Sequence, residues 1–315
     1  MVEKEDLVLI EKLYGFQIYK LNKLNSSSQN NVFLIFTSIG YVIVKIYSKY
    51  VKQSWIHYQE KHIKFLIRQK VISKNLFIKN QYGYYFSNIN NKYINVTNYI
   101  KSKFFQLNNQ DNIRAVARYL ARLHKIECPN HFVQYKLPKL SDYSVNENEL
   151  SRVCGINKRD IDRLIKNYHK LEFAIKRVAK HIDLLPKCVI HGDMHSRNIL
   201  LNNSQIIVID WDDSYIGPRV LDLLKAMYSL CKNENGSFSF SSKNVGEFLR
   251  EYKSYIKLKE IEHQFISDFL TIIFTTNLTH YKLFTDCSQR AWYLDWTFKA
   301  CEQIEEFEVI FKELS

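Results

Sequence analysis

The sequence predicts an α+β chain with two unequal lobes, a small β-rich N-lobe and a larger, mainly helical C-lobe. Three observations carry this reading. Short β-branched and aromatic runs crowd residues 15–99 around one helix-length amphipathic stretch. From about residue 110 the apolar residues recur at helical spacing instead. A pair of apolar runs at 199–201 and 206–209, joined by turn residues, interrupts the helical half with a predicted hairpin.

Residues 3–14 read as a short helix, followed by strand-like runs at Gly15–Leu21, Val32–Thr37 and Tyr41–Tyr47. Ser38–Ile39–Gly40 joins the last two as a tight turn. Residues 53–69 have helical spacing, and 76–79, 82–87 and 93–99 are again β-rich. Asp111–Lys125 is an amphipathic helix with Ile113, Val116, Leu120 and Leu123 on one face and Asp111 as its expected N-cap. A second helix covers roughly 158–182, residues 186–213 are loop and hairpin, and 243–312 are mostly helical.

Composition narrows the class. With 46% hydrophobic and 24% charged residues, the chain has the profile of a soluble globular protein. No run of about 18 apolar residues predicts a membrane span. MVEKEDLVLIEKLYGF lacks the apolar core and small-residue cleavage site of a secretory leader, so a cytoplasmic protein is expected. Cys128, Cys154, Cys188, Cys231, Cys287 and Cys301 form no CxxC pair, which predicts reduced thiols. The net charge of +13 attracts polyanions, but the basic residues follow no single stripe along a Lys-, Asn-, Ile- and Tyr-rich chain. No nucleic-acid motif is recognisable, so no specific nucleic-acid partner is expected.

The chemistry is concentrated in HGDMHSRNILLNNSQIIVIDWDD, residues 191–213. Folding the predicted hairpin about Asn202–Asn203–Ser204 brings Asn198 and Asp210 to its open end, where opposed positions sit about 5 Å apart. A carboxamide and a carboxylate are hard oxygen ligands suited to Mg²⁺. Asp193, in the loop just before, can reach the same point and orient a hydroxyl. That set suits the transfer of a γ-phosphoryl group, a reaction governed by positioning and charge neutralisation. His191 and His195, four apart, could instead be zinc ligands, but no third partner has motif spacing. In the N-lobe, Lys45 is the one charge on an otherwise apolar strand. Glu60 is a carboxylate on the apolar stripe Ile56–Glu60–Ile63–Ile67. A Lys45–Glu60 pair would account for both and leave the lysine aimed at a nucleotide phosphate.

With HGDMHSRNILL and VIDWDDSYIGPRVLDLLKAMY, the chain resembles the catalytic core of the aminoglycoside phosphotransferase/choline kinase family. GYVIVKIY and RYLARLHKIE extend the likeness upstream, and the stretch from Gly40 to Val71 is most similar to bacterial spore-coat proteins of the CotS type. The resemblance implies a two-lobed protein-kinase-like fold with ATP in the cleft. Its N-lobe would be 1–97 with the nucleotide-binding sheet, its hinge 98–102, and its C-lobe 103–315 with the catalytic loop and acceptor region. It implies Asp193 as catalytic base, Asn198 and Asp210 as Mg²⁺ ligands, Lys45 as phosphate contact with Glu60 as its anchor, and Asp222 as an acid supporting the catalytic loop. Adenine would rest on backbone groups at about 96–100. Residues 23–32 hold no glycine-rich phosphate loop, and eleven residues between Asp210 and Asp222 leave no room for an activation segment. The missing activation segment favours a small-molecule kinase over a regulated protein kinase.

The expected partners are therefore ATP and a small hydroxyl acceptor, with spore-coat proteins added by the CotS likeness. The alternative is a spore-coat scaffold that keeps the fold with little catalysis. Asp268, Asp286, Asp295 and Glu302, beside Trp292 and Trp296, are the candidate acceptor-side residues.

Overall fold

The computed structural model describes residues 4–24, 30–129, 132–143, 157–202, 205–234, 239–275 and 287–314. Part of the expected phosphate loop (25–29), the hairpin tip (203–204), Cys154 and Asp286 lie outside them. The chain forms two compact units, Met1–Lys103 with Leu200–Val208, and Phe104–Ile199 with Ile209–Ser315.

The first unit is built on one six-stranded antiparallel sheet. Helix α1 (Lys4–Tyr14) precedes β1 (Ile18–Leu24), β2 (Asn31–Thr37) and β3 (Gly40–Ile46), then come α2 (Gln53–Arg68), β4 (Phe77–Ile78), β5 (Phe86–Ile89) and β6 (Lys92–Asn98). The strand order is β1-β2-β3-β6-β4, with β5 also on β6. Strand alternation decides the two faces. Val42, Val44 and Ile46 are buried with Phe33, Ile35 and Val96, and α1 covers them with Ile10, Leu7 and Leu13. Each such side chain removed from water contributes about 1.5–3 kcal/mol before entropy is counted. Tyr41, Ile43 and Lys45 point the other way. Helix α2 packs a separate cluster, Ile56 and Ile63 against Tyr47, Tyr85 and Phe86. A three-stranded sheet orders β10 (Gln205–Val208), β9 (Ile199–Asn202) and β7 (Lys103–Phe104), so the two strands of the predicted hairpin pair.

The second unit holds helices α3 (Gln110–His124), α4 (Lys158–His181), α5 (Arg219–Leu230), α6 (Ser242–Lys253), α7 (Glu260–Gln264), α8 (Ile266–Phe274), α9 (Cys287–Glu302) and α10 (Ile304–Glu313) among the described residues. Its short sheet pairs β8 (Lys187–Ile190) antiparallel with β11 (Tyr215–Pro218). Helix α5 is apolar nearly all round, with Val220, Leu221, Leu223, Leu224, Ala226 and Met227 buried, as a central helix must be. No helix among the described residues is long and apolar enough to cross a membrane.

One expected cap moves. Asn109, not Asp111, caps α3, accepting the Asn112 N–H at 3.1 Å through its side chain. Asp111 lies inside the first turn and pairs with Arg114 at 2.6 Å, where its negative charge still suits the helix N-terminus.

Candidate active site

Strand β8 delivers the loop that begins at His191, and β11 closes the segment that carries Asp210. Between them a buried network fixes the loop backbone. Asp222, on the first turn of α5, is wholly buried. Its carboxylate accepts the His191 N–H at 2.8 Å and the Gly192 N–H at 2.9 Å. His124 Nε2 donates to the same carboxylate at 3.2 Å, and His124 Nδ1 accepts the Tyr252 hydroxyl at 2.8 Å. Burial alone would raise the Asp222 carboxyl, but the bond and charge of His124, with His191 beyond, hold it below the usual carboxylate range. Three groups from two segments thus converge on one carboxylate, with Tyr252 behind His124, and this draws the start of the loop tight.

His191 is structural in this arrangement. Its Nδ1 accepts the Asp193 N–H at 3.2 Å and its Nε2 donates to the Ile209 carbonyl at 3.1 Å, so one ring ties the Asp193 loop to the Asp210 strand. Burial pushes its pKa down. Gly192 has φ +81°, and a Cβ there would meet the Asp213 carbonyl oxygen at 2.1 Å, so only glycine fits.

The three expected site residues of this loop do come together. Asn198 Nδ2 donates to the Asp193 carbonyl at 2.9 Å and lies 3.3 Å from Asp193 Oδ2. The Ile209 N–H donates to the Asn198 carbonyl at 3.0 Å, which sets Asp210 one residue beyond that bond. Asp210 is held at φ +62°, a conformation few non-glycine residues adopt and one that clusters at functional sites. His195 adds a contact that spacing alone did not indicate. Its Nδ1 accepts the Arg197 N–H at 3.2 Å, leaving Nε2 to face Asp193 Oδ2 at 3.3 Å. Burial raises the Asp193 carboxyl, but His195, Lys225 and His191 outweigh it and keep Asp193 ionised. Asp213 is shifted up by burial and by the neighbouring charge of Asp193. Lys225 donates to the Gly192 carbonyl at 2.8 Å. It is the sole base in the apolar stretch VLDLLKAMYSL, a signal the sequence did contain.

The donor set fits a hard divalent cation. With its amide N–H₂ held by Asp193, Asn198 keeps Oδ1 as a neutral oxygen ligand, and Asp210 is an exposed carboxylate.

In the first unit, Lys45 lies on the outward face of β3, with its ammonium 5.4 Å from the Tyr47 ring centre. Glu60 is not its partner. The Glu60 carboxylate accepts the Tyr85 N–H at 2.9 Å and the Phe86 N–H at 3.2 Å, and Lys64 approaches it at 2.9 Å. Lys64 stands one turn away on the same helix, a nearer cation than any on a strand.

The acceptor-side acids are mostly engaged. Asp295 pairs with Lys299 at 2.7 Å and Glu302 with Arg163 at 2.8 Å. Asp268 is buried and shifted up to about 6 by desolvation, with Arg177 at 3.5 Å. It lines a cavity of about 800 Å³ with Phe298, Glu302 and Lys170. Trp296 is half-buried and packs edge-on against Tyr228 and Phe274. Trp292 is exposed against Tyr293. Burial shifts the Tyr293 hydroxyl up, with the charges of Arg197 and Asp193 acting on it in opposite directions.

Residues 105–249 match the Phosphotransferase enzyme family. The fold is kinase-like, of the aminoglycoside phosphotransferase and choline kinase type. The chain is similar along nearly its whole length to spectinomycin phosphotransferase APH(9)-Ia, solved with ADP and spectinomycin, with TM-score 0.69, 13% identity, and 98% and 99% of the two chains covered. It is also similar to the amicoumacin kinase hAmiN bound to AMP-PNP, Ca²⁺ and Ami, with TM-score 0.68, 16% identity, and 96% and 94% covered. Stress response kinase A of Escherichia coli (strain K12) is 27% identical over 145 residues, 46% of this chain and 41% of that protein. The match therefore spans less than half of that relative's length.

Proposed function

We propose that this chain is an ATP-dependent phosphotransferase that moves the γ-phosphoryl group to a hydroxyl of a small molecule. The observation that carries the reading is the convergence of Asp193, Asn198 and Asp210 on one loop that Asp222 and His191 hold rigid.

In this reading Asp193, kept ionised by its cationic neighbours, accepts a hydrogen bond from the acceptor hydroxyl. It orients the oxygen and takes its proton as transfer proceeds. Asn198 and Asp210 would hold Mg²⁺, which when bound supplies charge neutralisation on the phosphates. His195 steadies the Asp193 carboxylate. Lys45 contacts the donor's phosphates, the backbone at 96–100 receives its adenine, and 98–102 serves as hinge. The C-lobe helices supply the acceptor side, with Tyr293 on α9, which responds to the charges of Arg197 and Asp193, as its candidate residue. The likeness of the stretch 40–71 to CotS-type proteins supports a spore-coat setting. Fractionation of sporulating cells checks that point.

Calorimetry with Mg·ATP tests the nucleotide half of the reading. The unaltered protein should bind, and Asp210→Ala should weaken Mg²⁺-dependent binding at least 100-fold. A chain that takes up no Mg·ATP would instead be a scaffold that keeps the fold without the chemistry.

A further inference from the structure

The net charge of +13 is not spread evenly. The first unit, 1–103 with 200–208, holds 16 Lys and Arg against five acids, Glu3, Glu5, Asp6, Glu11 and Glu60, so it carries a net +11 of the chain's +13. The basic residues follow no stripe along the sequence, but the fold gathers them on one unit. The principal strands β1, β2, β3 and β6 carry Lys20, Lys23, Lys45 and Lys92 and no Asp or Glu.

On that sheet stands a row of aromatic rings that the core does not use. Tyr19, Phe36, Tyr41 and Tyr99 are all exposed, at 58%, 40%, 52% and 46%. Their rings contact in series, Tyr19 to Phe36 at 5.6 Å, Phe36 to Tyr41 at 4.9 Å and Tyr41 to Tyr99 at 6.1 Å between centres. The register explains the row: Phe36 is the direct cross-strand partner of Tyr41, and the Tyr99 N–H donates to the Tyr41 carbonyl. Lys20 is the cross-strand partner of Phe36 on the other side, and Lys101 follows two residues after Tyr99. Four contiguous aromatic side chains facing water form an apolar patch of the kind that marks an interaction surface. Water-facing strand positions are otherwise polar.

We propose that this ladder is a docking surface for single-stranded nucleic acid, bound without sequence preference. Exposed rings offer stacking platforms that any base can use, and lysines of a unit with net positive charge attract the phosphate backbone. The charge argues for this occupant over an apolar protein surface, which would gain nothing from it. The proposal does not rest on the phosphotransferase reading. It places nucleic acid on exposed rings of the N-terminal unit, one of which, Tyr99, lies in the segment 96–100.

The test is fluorescence anisotropy of a labelled 12-nucleotide oligo(U) on the full chain at 50 mM salt, with melting curves as a check that each variant is folded. Binding should weaken about tenfold in Tyr41→Ala and in Phe36→Ala, since each stacked base contributes about 1–3 kcal/mol. Lys20→Glu should flatten the dependence of affinity on salt. Mg·ATP binding should be unchanged in Tyr41→Ala. Absence of oligonucleotide binding would overturn the proposal, as would equal binding by Tyr41→Ala, Phe36→Ala and the unaltered chain. So would preferential binding to phosphatidylserine vesicles that Tyr41→Ala abolishes. Displacement of the oligonucleotide by saturating Mg·ATP, with Tyr41→Ala weakening both ligands alike, would assign the ladder to the ATP site instead.

Discussion

The N-terminal sheet unit and the helical unit treat charge in opposite ways. In the sheet unit one sign dominates, 16 Lys and Arg against five acids, four of them in its first 11 residues, and the basic side chains lie mostly toward solvent. In the helical unit acids and bases are matched, and the decisive acid, Asp222, is wholly buried with His124, His191 and Gly192 around it. The first arrangement attracts anions from a distance and fixes little. The second attracts nothing from a distance and fixes a loop backbone to within a hydrogen bond. Phosphoryl transfer needs both kinds of charge, one to gather phosphates and one to hold a carboxylate still.

That contrast breaks most easily at Asp222. Asp222→Ala strands two buried N–H groups and the His124 ring, and should cost about 3–5 kcal/mol, read as a lowered unfolding midpoint together with lost turnover. A variant that melts normally would show that the loop does not depend on its buried acid. In the sheet unit the matching weak point is His62, buried on α2, where desolvation lowers its pKa to about 4. The unfolded histidine takes a proton near 6.5 and the folded one only near 4. Stability is therefore full above pH 6.5 and falls by on the order of 3 kcal/mol as pH drops to 4. Denaturant melts from pH 7 to 4 should show this slope, and His62→Gln should flatten it.

A smaller effect separates holding a loop from steering charge. Lys225→Met removes the donor to the Gly192 carbonyl and one positive charge near Asp193. Transfer should fall about tenfold, with Lys225→Arg recovering most of it, while melting shifts little. Smallest are the two residues at the start of α3. Asn109→Ala should cost about 1 kcal/mol as a lost cap. Asp111→Ala, an exposed pair member, should cost under about 0.5 kcal/mol by thermal melts. The reverse order would restore Asp111 as the cap.

Much of this was legible in the sequence where the determining contacts are local. The β9–β10 strands follow from Asn and Ser between two apolar runs, and Asn198 and Asp210 flank them for the same reason. The faces of β3 follow from alternation. Contacts across long separations were not legible. His124 meets Asp222 across 98 residues and Tyr252 across 128, and no local pattern joins them. Asp222 was reached by resemblance alone. The Lys45–Glu60 pairing failed because strand–helix pairing was inferred from two isolated charges. The Tyr85 and Phe86 amides and Lys64 take that carboxylate. The aromatic ladder was hidden because register, not composition, lines up Tyr19, Phe36, Tyr41 and Tyr99.

The central claim is that Asp193 orients the acceptor hydroxyl while Asn198 and Asp210 serve the donor side. It is tested most directly by ³¹P NMR of Mg·ATP with a panel of amino alcohols, sugars and aminoglycosides, comparing the unaltered chain with Asp193→Asn. The account predicts a phosphorylated acceptor from the unaltered chain. It predicts a loss of 100-fold or more in Asp193→Asn, with Mg·ATP affinity by calorimetry within about twofold of the original. Turnover in Asp193→Asn equal to that of the unaltered chain would contradict it.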